Sequence, residues 1–317
     1  MEHRTPKYQI IDGEPRCVLV DPDILREALK FKAKAGDVVL STFPKSGTHW
    51  VEFIVQLILK KGEPISTHQE FAGNMRLLEY SRCKDWTPAL ALRLFISHLP
   101  LSRNRMSEEA KYVYVARNPW DVCVSFFHWA TNLSFFEFYD GTFQDFVEAF
   151  MDGNFGYGDY FEHVASGYAL RNEPNVFFVT YEELKQEKRS VVLKLAHFLG
   201  EEYGKNLEES DDMLQQLLER TTADSMRSIL VVDLQTGLNE EWQEVFSRRE
   251  YKCKEGYGGD KNKYGIVRTA RVGGWREHFT PELLSRMELR IQEAEKKTSF
   301  MELWKDIRAE AIEASKA

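Results

Sequence analysis

Lys45, Ser46, Gly47 and Thr48, inside the stretch STFPKSGTHW at residues 41 to 50, are residue types that hold an anion. Lysine brings a full positive charge, glycine lets the backbone approach closely, and the threonine hydroxyl adds a donor. A nucleoside-triphosphate loop places its lysine after the second of two spaced glycines. Here Lys45 stands before Gly47, and no glycine occupies the position five residues earlier. The anion is therefore open at this point, although the cradle is P-loop-like: a strand turns at Pro44 and runs straight into a helix whose first N–H groups point at the loop. An ordinary strand–helix turn with a solvated lysine is the competing reading of K-S-G-T alone.

A second cluster lies in VYVARNPWDVCVSFFH, where Arg117 ends an apolar run and Asn118, Val122 and Ser125 follow at helical spacing. That spacing puts Ser125 on a helix face able to share a crevice with Arg117. A third element is His98, at the end of RLFISH, where an imidazole could act as general base at neutral pH. Metal-assisted phosphoryl transfer wants a strand-end carboxylate; neither KYVYVARNP nor RLFISHLP supplies one, and Arg117 stands there instead. A sulfuryl group carries less charge than a terminal phosphoryl, so fixed cations could serve it without a metal. His49 sits within the anion loop as a further donor. No Ser/His/Asp order or nucleophile elbow is visible, which argues against covalent hydrolysis.

These residues need a scaffold that brings strand ends together. Four runs read as buried strands, at 36 to 43, 93 to 98, 111 to 116 and 175 to 180, and helical patterns follow at least three of them. The expected fold is a single α/β domain over residues 1–317, with a mostly parallel central sheet flanked by helices, binding its ligand at the carboxyl ends of the strands. Asn118 and Pro119 predict a helix start; Val51, Ile54, Val55 and Ile58 predict a mostly buried helix with Glu52, Gln56 and Lys60 as its one polar stripe. Residues 61 to 90 and 246 to 274 read as irregular, the latter as a mobile flap, and 281 to 316 as a packed amphipathic surface helix.

Composition narrows the class. The 317 residues carry 50 acidic and 42 basic side chains, a net charge of −8, which speaks against nucleic-acid binding and makes any anion site local. The four cysteines form no ligand or redox spacing, and no long apolar segment or leader pattern is present. The expectation is a cytoplasmic protein with no membrane partner.

Taken together, FPKSGTHW, ISHLP, VYVARNPWDVCVSFFHW, FFVTYEEL and RTARVGGWREHFTPE, in that order, resemble the cytosolic sulfotransferases over about residues 10 to 300. The resemblance implies transfer of a sulfuryl group from 3′-phosphoadenosine 5′-phosphosulfate (PAPS) to a hydroxyl or amine, leaving 3′,5′-diphosphoadenosine (PAP), with no metal. By the same resemblance, Lys45 to Trp50 hold the phosphosulfate, Trp50 lies near adenine, and Arg117, Ser125 and Arg268 take the 3′-phosphate. Tyr181 and the stretch from Thr221 to Met226 surround the base, and His98 accepts the acceptor's proton. Trp129, Leu133 and Phe136, with the segment from Phe71 to Tyr80, line an acceptor pocket suited to small phenols. Glu137 and Asp140 either meet an ammonium group, as on a catecholamine, or are solvated loop charges.

The chain departs from the family pattern in places. Ile96 replaces a lysine two residues before the histidine, Thr269 and Ala270 replace a Lys-Gly pair after Arg268, and Ala223 replaces an aromatic residue over adenine. The family's dimerisation segment is degraded to Arg276, Thr280, Pro281 and Ser285, which points to a monomer or weak dimer. A phosphotransferase with an unusual loop, and a catalytically silent binder, remain the alternatives.

Overall fold

The computed structural model describes residues 4–83, 86–235 and 250–316. Its centre is the strand β3, Asp37–Thr42, in which all six residues are buried. Such a run needs cover on both faces, and parallel neighbours provide it. The sheet order is β4-β5-β3-β6-β7, with β4 Met75–Leu77, β5 Arg93–Ser97, β6 Lys111–Ala116 and β7 Val176–Thr180, every pairing parallel. Strand alternation sends Val38, Leu40, Ile96, Val113 and Val115 into one core, and Val39, Phe95, Tyr112 and Tyr114 into the other. The described residues thus form one α/β domain with helices on both faces.

The helix Thr48–Leu59 leaves β3 toward one core, while Pro119–Ala130 leaves the adjacent β6 toward the other. Between them opens a crevice at the carboxyl edge, where open α/β sheets bind ligands. Local chemistry starts the second helix: the Asn118 side chain accepts from the Asp121 N–H, and Pro119 follows at the first helical position.

The four expected strands are present within a residue or two of their predicted ends. Residues 61 to 90, read as irregular, hold a helix, His68–Gly73, and the fifth strand β4, whose three residues are too few to carry a periodic signal. Of the predicted flap, 246–249 lie outside the described residues; the rest includes β9, Lys263–Gly265, antiparallel to β8, Val231–Asp233. An additional hairpin pairs β1, Tyr8–Ile11, with β2, Glu14–Cys17. The C-terminal stretch is two helices, Pro281–Glu295 and Lys305–Ala314, and the first buries Leu283, Leu284, Met287 and Ile291.

Of the polar stripe, Lys60 is partly exposed and ion-paired with Glu70, but Glu52 and Gln56 do not face water. Glu52 and Gln56 are fully buried, with Gln56 Nε2 donating to Glu52 Oε1 at 3.1 Å and to the Phe71 carbonyl at 3.0 Å, and Asn74 donating to Gln56 at 3.1 Å. Burial raises the Glu52 carboxyl well above the usual carboxylate range, favouring its neutral form. Among the described residues, no helix is long and apolar enough to cross a membrane. No disulfide joins Cys17, Cys83, Cys123 and Cys253.

Candidate active site

The loop after β3 is shaped by two left-handed residues, Lys45 at φ 71° and Gly47 at φ 104°. Gly47 is the N-cap of helix Thr48–Leu59 and has no side chain to cap it, so the first-turn N–H groups stay directed at the loop. A Cβ at Gly47 would lie 2.8 Å from the Tyr181 ring, so glycine is required by contact as well as by φ. Thr48 Oγ1 sits 2.7 Å from Thr42 Oγ1. Ser46 is fully buried and its hydroxyl has no protein partner.

Arg117 enters the same loop from β6. Its Nη1 donates to the Lys45 carbonyl at 3.2 Å, its Nη2 to the Arg271 carbonyl at 2.8 Å, and its guanidinium carbon lies 4.3 Å from the Tyr181 ring centroid. The Arg117 Nε is buried without a partner. Ser125 and Arg268 line the same cavity. Lys45 is pushed down to about 7, first by burial and then by the Arg268 and Arg117 charges. Arg268 is likewise lowered by burial and by Arg117 and Arg271. Three cations crowded so closely, beside an orphaned hydroxyl and an orphaned guanidinium N–H, fit a polyanionic ligand that would relieve each of them.

Loop 268–275 is tied down by Asp121, whose carboxylate accepts from the Gly273 N–H at 2.7 Å and the Trp275 N–H at 3.1 Å. The sequence reading passed over Asp121. Its signal, an acid four residues after Arg117, is too common to decide anything alone.

His98 follows β5. Its Nδ1 lies 2.8 Å from the Thr42 carbonyl, which can only accept, so Nδ1 carries the proton and Nε2 presents a lone pair. Burial lowers the imidazole below its ordinary value, Lys45 adds to that, and Glu79 opposes it; at neutral pH the ring is uncharged and able to accept a proton. His98 and Lys45 line one cavity of about 790 Å³. His49 lines it too, pushed down to about 3 by burial and the Lys45 charge, and is therefore a neutral donor.

At one end, Trp50 Nε1 donates to the Thr221 carbonyl at 3.0 Å and its ring meets Tyr181 edge-on at 5.2 Å. Thr221, Ala223, Met226, Thr269 and Ala270 also line the cavity, with Ala270 in the left-handed region at φ 50°. Ile96 lies in the core, 1% exposed, and brings nothing to the cavity. At the other end are Trp129, which has Lys45 Nζ 5.0 Å from its ring centroid, and Leu133. Phe136 does not line the cavity: it is fully buried against Phe126 and Trp129, and its neighbour Phe135 takes the wall position. Glu137 is ion-paired with Lys7 and Asp140 is exposed; neither lines the cavity.

Tyr80 and Tyr157 do line it, with hydroxyls 2.9 Å apart and the Tyr157 ring 6.2 Å from that of His98. His128, whose position in the chain carries no signal for the site, lines it as well, with its Nε2 2.9 Å from that of His278. Among the described residues, no group of three or more His, Cys, Asp or Glu side chains is arranged to hold a metal.

Comparison with known proteins agrees with this geometry. The sulfotransferase domain model matches residues 35–299. An amine sulfotransferase from Oryctolagus cuniculus is 31% identical over 298 residues, covering 92% of this chain and 91% of the relative. A 3-alpha-hydroxysteroid sulfotransferase from Cavia porcellus is 31% identical over 294 residues, covering 88% and 90%. Among solved structures, mouse sulfotransferase SULT7A1 complexed with PAP superposes with a TM-score of 0.67 at 21% identity, covering 96% of this chain and 99% of that one, a likeness of fold. The P-loop-like anion cradle, the strand-end arginine and the strand-end histidine thus stand in a chain that belongs to the sulfotransferase family.

Proposed function

We propose that this sulfotransferase moves a sulfuryl group from PAPS to the hydroxyl or amine of a small, phenolic acceptor, in a single domain spanning 1–317 and in the cytoplasm. The observation that carries the reading is the Arg117 Nη1 bond to the Lys45 carbonyl: one guanidinium joins the two cationic regions into one groove, with His98 on the same cavity. PAPS would supply a sulfur bonded to a good phosphate leaving group. The first turn of helix Thr48–Leu59, with Lys45 and Thr48, holds the phosphosulfate end; Arg117, Ser125 and Arg268 hold the 3′-phosphate; Trp50, Tyr181, Thr221 and Met226 border the base.

His98 Nε2 takes the acceptor proton as the acceptor oxygen bonds to sulfur and the sulfur–phosphate oxygen bond breaks. The Nδ1 bond to Thr42 steadies the imidazolium that forms. Lys45 meets the charge left on the departing phosphate, a burden undivided because Ile96 stands where the family places a second lysine. We assign charge neutralisation to these cations and not to a metal. Trp129, Leu133 and Phe135 give the acceptor an aromatic and aliphatic wall.

The positions of the family's dimerisation segment are occupied within the chain: Arg276 pairs with Glu310, and Thr280 caps helix Pro281–Glu295. That favours the reading of a monomer or weak dimer.

The test is twofold. PAP should bind far more tightly than ADP with Mg²⁺; equal or better binding of the latter indicates a phosphotransferase. An acceptor screen with ³⁵S-labelled PAPS over phenols, amines and steroid alcohols should show transfer to phenols, and no transfer to any acceptor would overturn the reading.

A further inference from the structure

We propose that Glu79 is the positioning residue for His98, fixing the backbone of the base and holding a negative charge behind it. The proposal rests on the general-base role given to His98 above. Glu79 follows the edge strand β4 and is only 4% exposed. One of its oxygens, Oε1, accepts from the His98 N–H at 3.0 Å, from the Leu99 N–H at 3.2 Å and from the Ser97 hydroxyl. Ser97 Oγ in turn accepts from the Leu99 N–H at 3.1 Å. The three residues at the end of β5 are thus gathered onto a single oxygen. β5 stops at Ser97, and a strand that stops pairing leaves N–H groups to satisfy; Glu79 satisfies those of His98 and Leu99, and so sets where the imidazole begins.

The second oxygen, Oε2, is buried with no hydrogen-bond partner. A buried acceptor in that state costs free energy, and its retention asks for a reason. As an anion behind the base, Glu79 favours the imidazolium form of His98, against burial and against Lys45, which disfavour it. A base held wholly in apolar surroundings would be too weakly basic to take a proton efficiently; a carboxylate held at the base's own backbone N–H partly restores that basicity. The charged and titratable groups facing this pair are Lys45, His49 and His163 around His98, and Arg105 and Tyr157 around Glu79. Only Glu79 among them acts on His98 with negative charge.

Glu79→Gln keeps the shape and an accepting oxygen but removes the charge. The acid limb of the kcat/KM profile should move down by roughly 0.5 to 1 pH unit, and kcat should fall about 3- to 10-fold as the base weakens. KM for the donor should stay within about 2-fold, since Glu79 touches no part of the anion cradle. Glu79→Asp keeps the charge but shortens the reach; kcat should fall while the acid limb keeps its place.

The His98 imidazole can also be titrated by ¹³C NMR in protein labelled at histidine, assigned with His98→Ala. This reads the charge effect with no turnover at all, so it separates a failure of this proposal from a failure of the sulfotransfer reading. An unchanged His98 titration in a folded Glu79→Gln overturns the proposal. Should that variant not fold, an acid-limb shift in Glu79→Asp as large as about 1 unit overturns it instead, because charge would then not be the controlling property.

Discussion

Binding of PAP to this cavity is expected to draw a proton from solvent, and Lys45 is the group that takes it. In this fold its amine is pushed down to about 7 by burial and by Arg268 and Arg117. A phosphate seated among these cations reverses the repulsion and returns the amine toward the ordinary lysine value of about 10.4. Since the bound state holds the proton more tightly, affinity must fall as pH rises between the two values. With about half the free protein protonated at pH 7, uptake is about 0.5 proton there and about 0.9 at pH 8, and Kd weakens nearly tenfold per pH unit above that. The ligand's phosphates, with a second pKa near 6, are already ionised at pH 8 and contribute little.

Calorimetry in HEPES and Tris, whose ionisation enthalpies differ, reads the uptake directly. Lys188, pushed down to about 8, also borders the cavity and is a rival source. Lys45→Met separates the two: it should lose most of the uptake at pH 8. No uptake in the wild type, or equal uptake in the variant, refutes the argument.

Arg117→Ala removes a guanidinium that donates to two loop carbonyls and, by the proposal, to the 3′-phosphate; at about 1.5–3 kcal/mol per charged hydrogen bond, PAP affinity should fall at least ~10-fold, and an unchanged Kd in equilibrium dialysis removes Arg117 from the site. Gly47→Ala forces a Cβ to within 2.8 Å of Tyr181 at a left-handed φ, a strain of about 1–2 kcal/mol before the clash is counted; it should weaken PAP binding and lower the thermal midpoint, and wild-type values for both would contradict the loop geometry. Asp121→Ala frees the N–H groups of Gly273 and Trp275; hydrogen exchange across 268–275 should rise markedly and donor affinity fall, whereas unaltered protection would show that the loop is held elsewhere.

How much of this was legible depended on how local each signal was. β3, β5, β6 and β7 announce themselves because a buried parallel strand is largely apolar on both faces and rich in β-branched and aromatic residues, as in VVLSTF and YVYVA. The loop from Lys45 to Thr48, the arginine after β6 and the histidine after β5 could be read from strand-end position alone. β4 was lost because three residues carry no period, and with it went Glu79, whose importance lies in contacts to residues 18 to 20 positions away. Glu52 and Gln56 read only as part of a polar stripe, because helical spacing reports a polar face without reporting what covers it; here the carbonyl of Phe71 and the side chain of Asn74 do. Phe136 and Phe135 differ by one residue, and only the 3₁₀ turn Ser134–Phe136 decides which ring faces the cavity and which the core.

In the proposed mechanism His98 is the base beside a donor held by other residues. The most direct measurement is ³⁵S transfer from saturating PAPS to a small phenol by the wild type and by His98→Ala, paired with the Kd of each for PAP. Loss of a positioned general base should lower turnover by roughly 10² to 10⁴ with PAP affinity nearly intact; near-wild-type turnover in His98→Ala would contradict the mechanism.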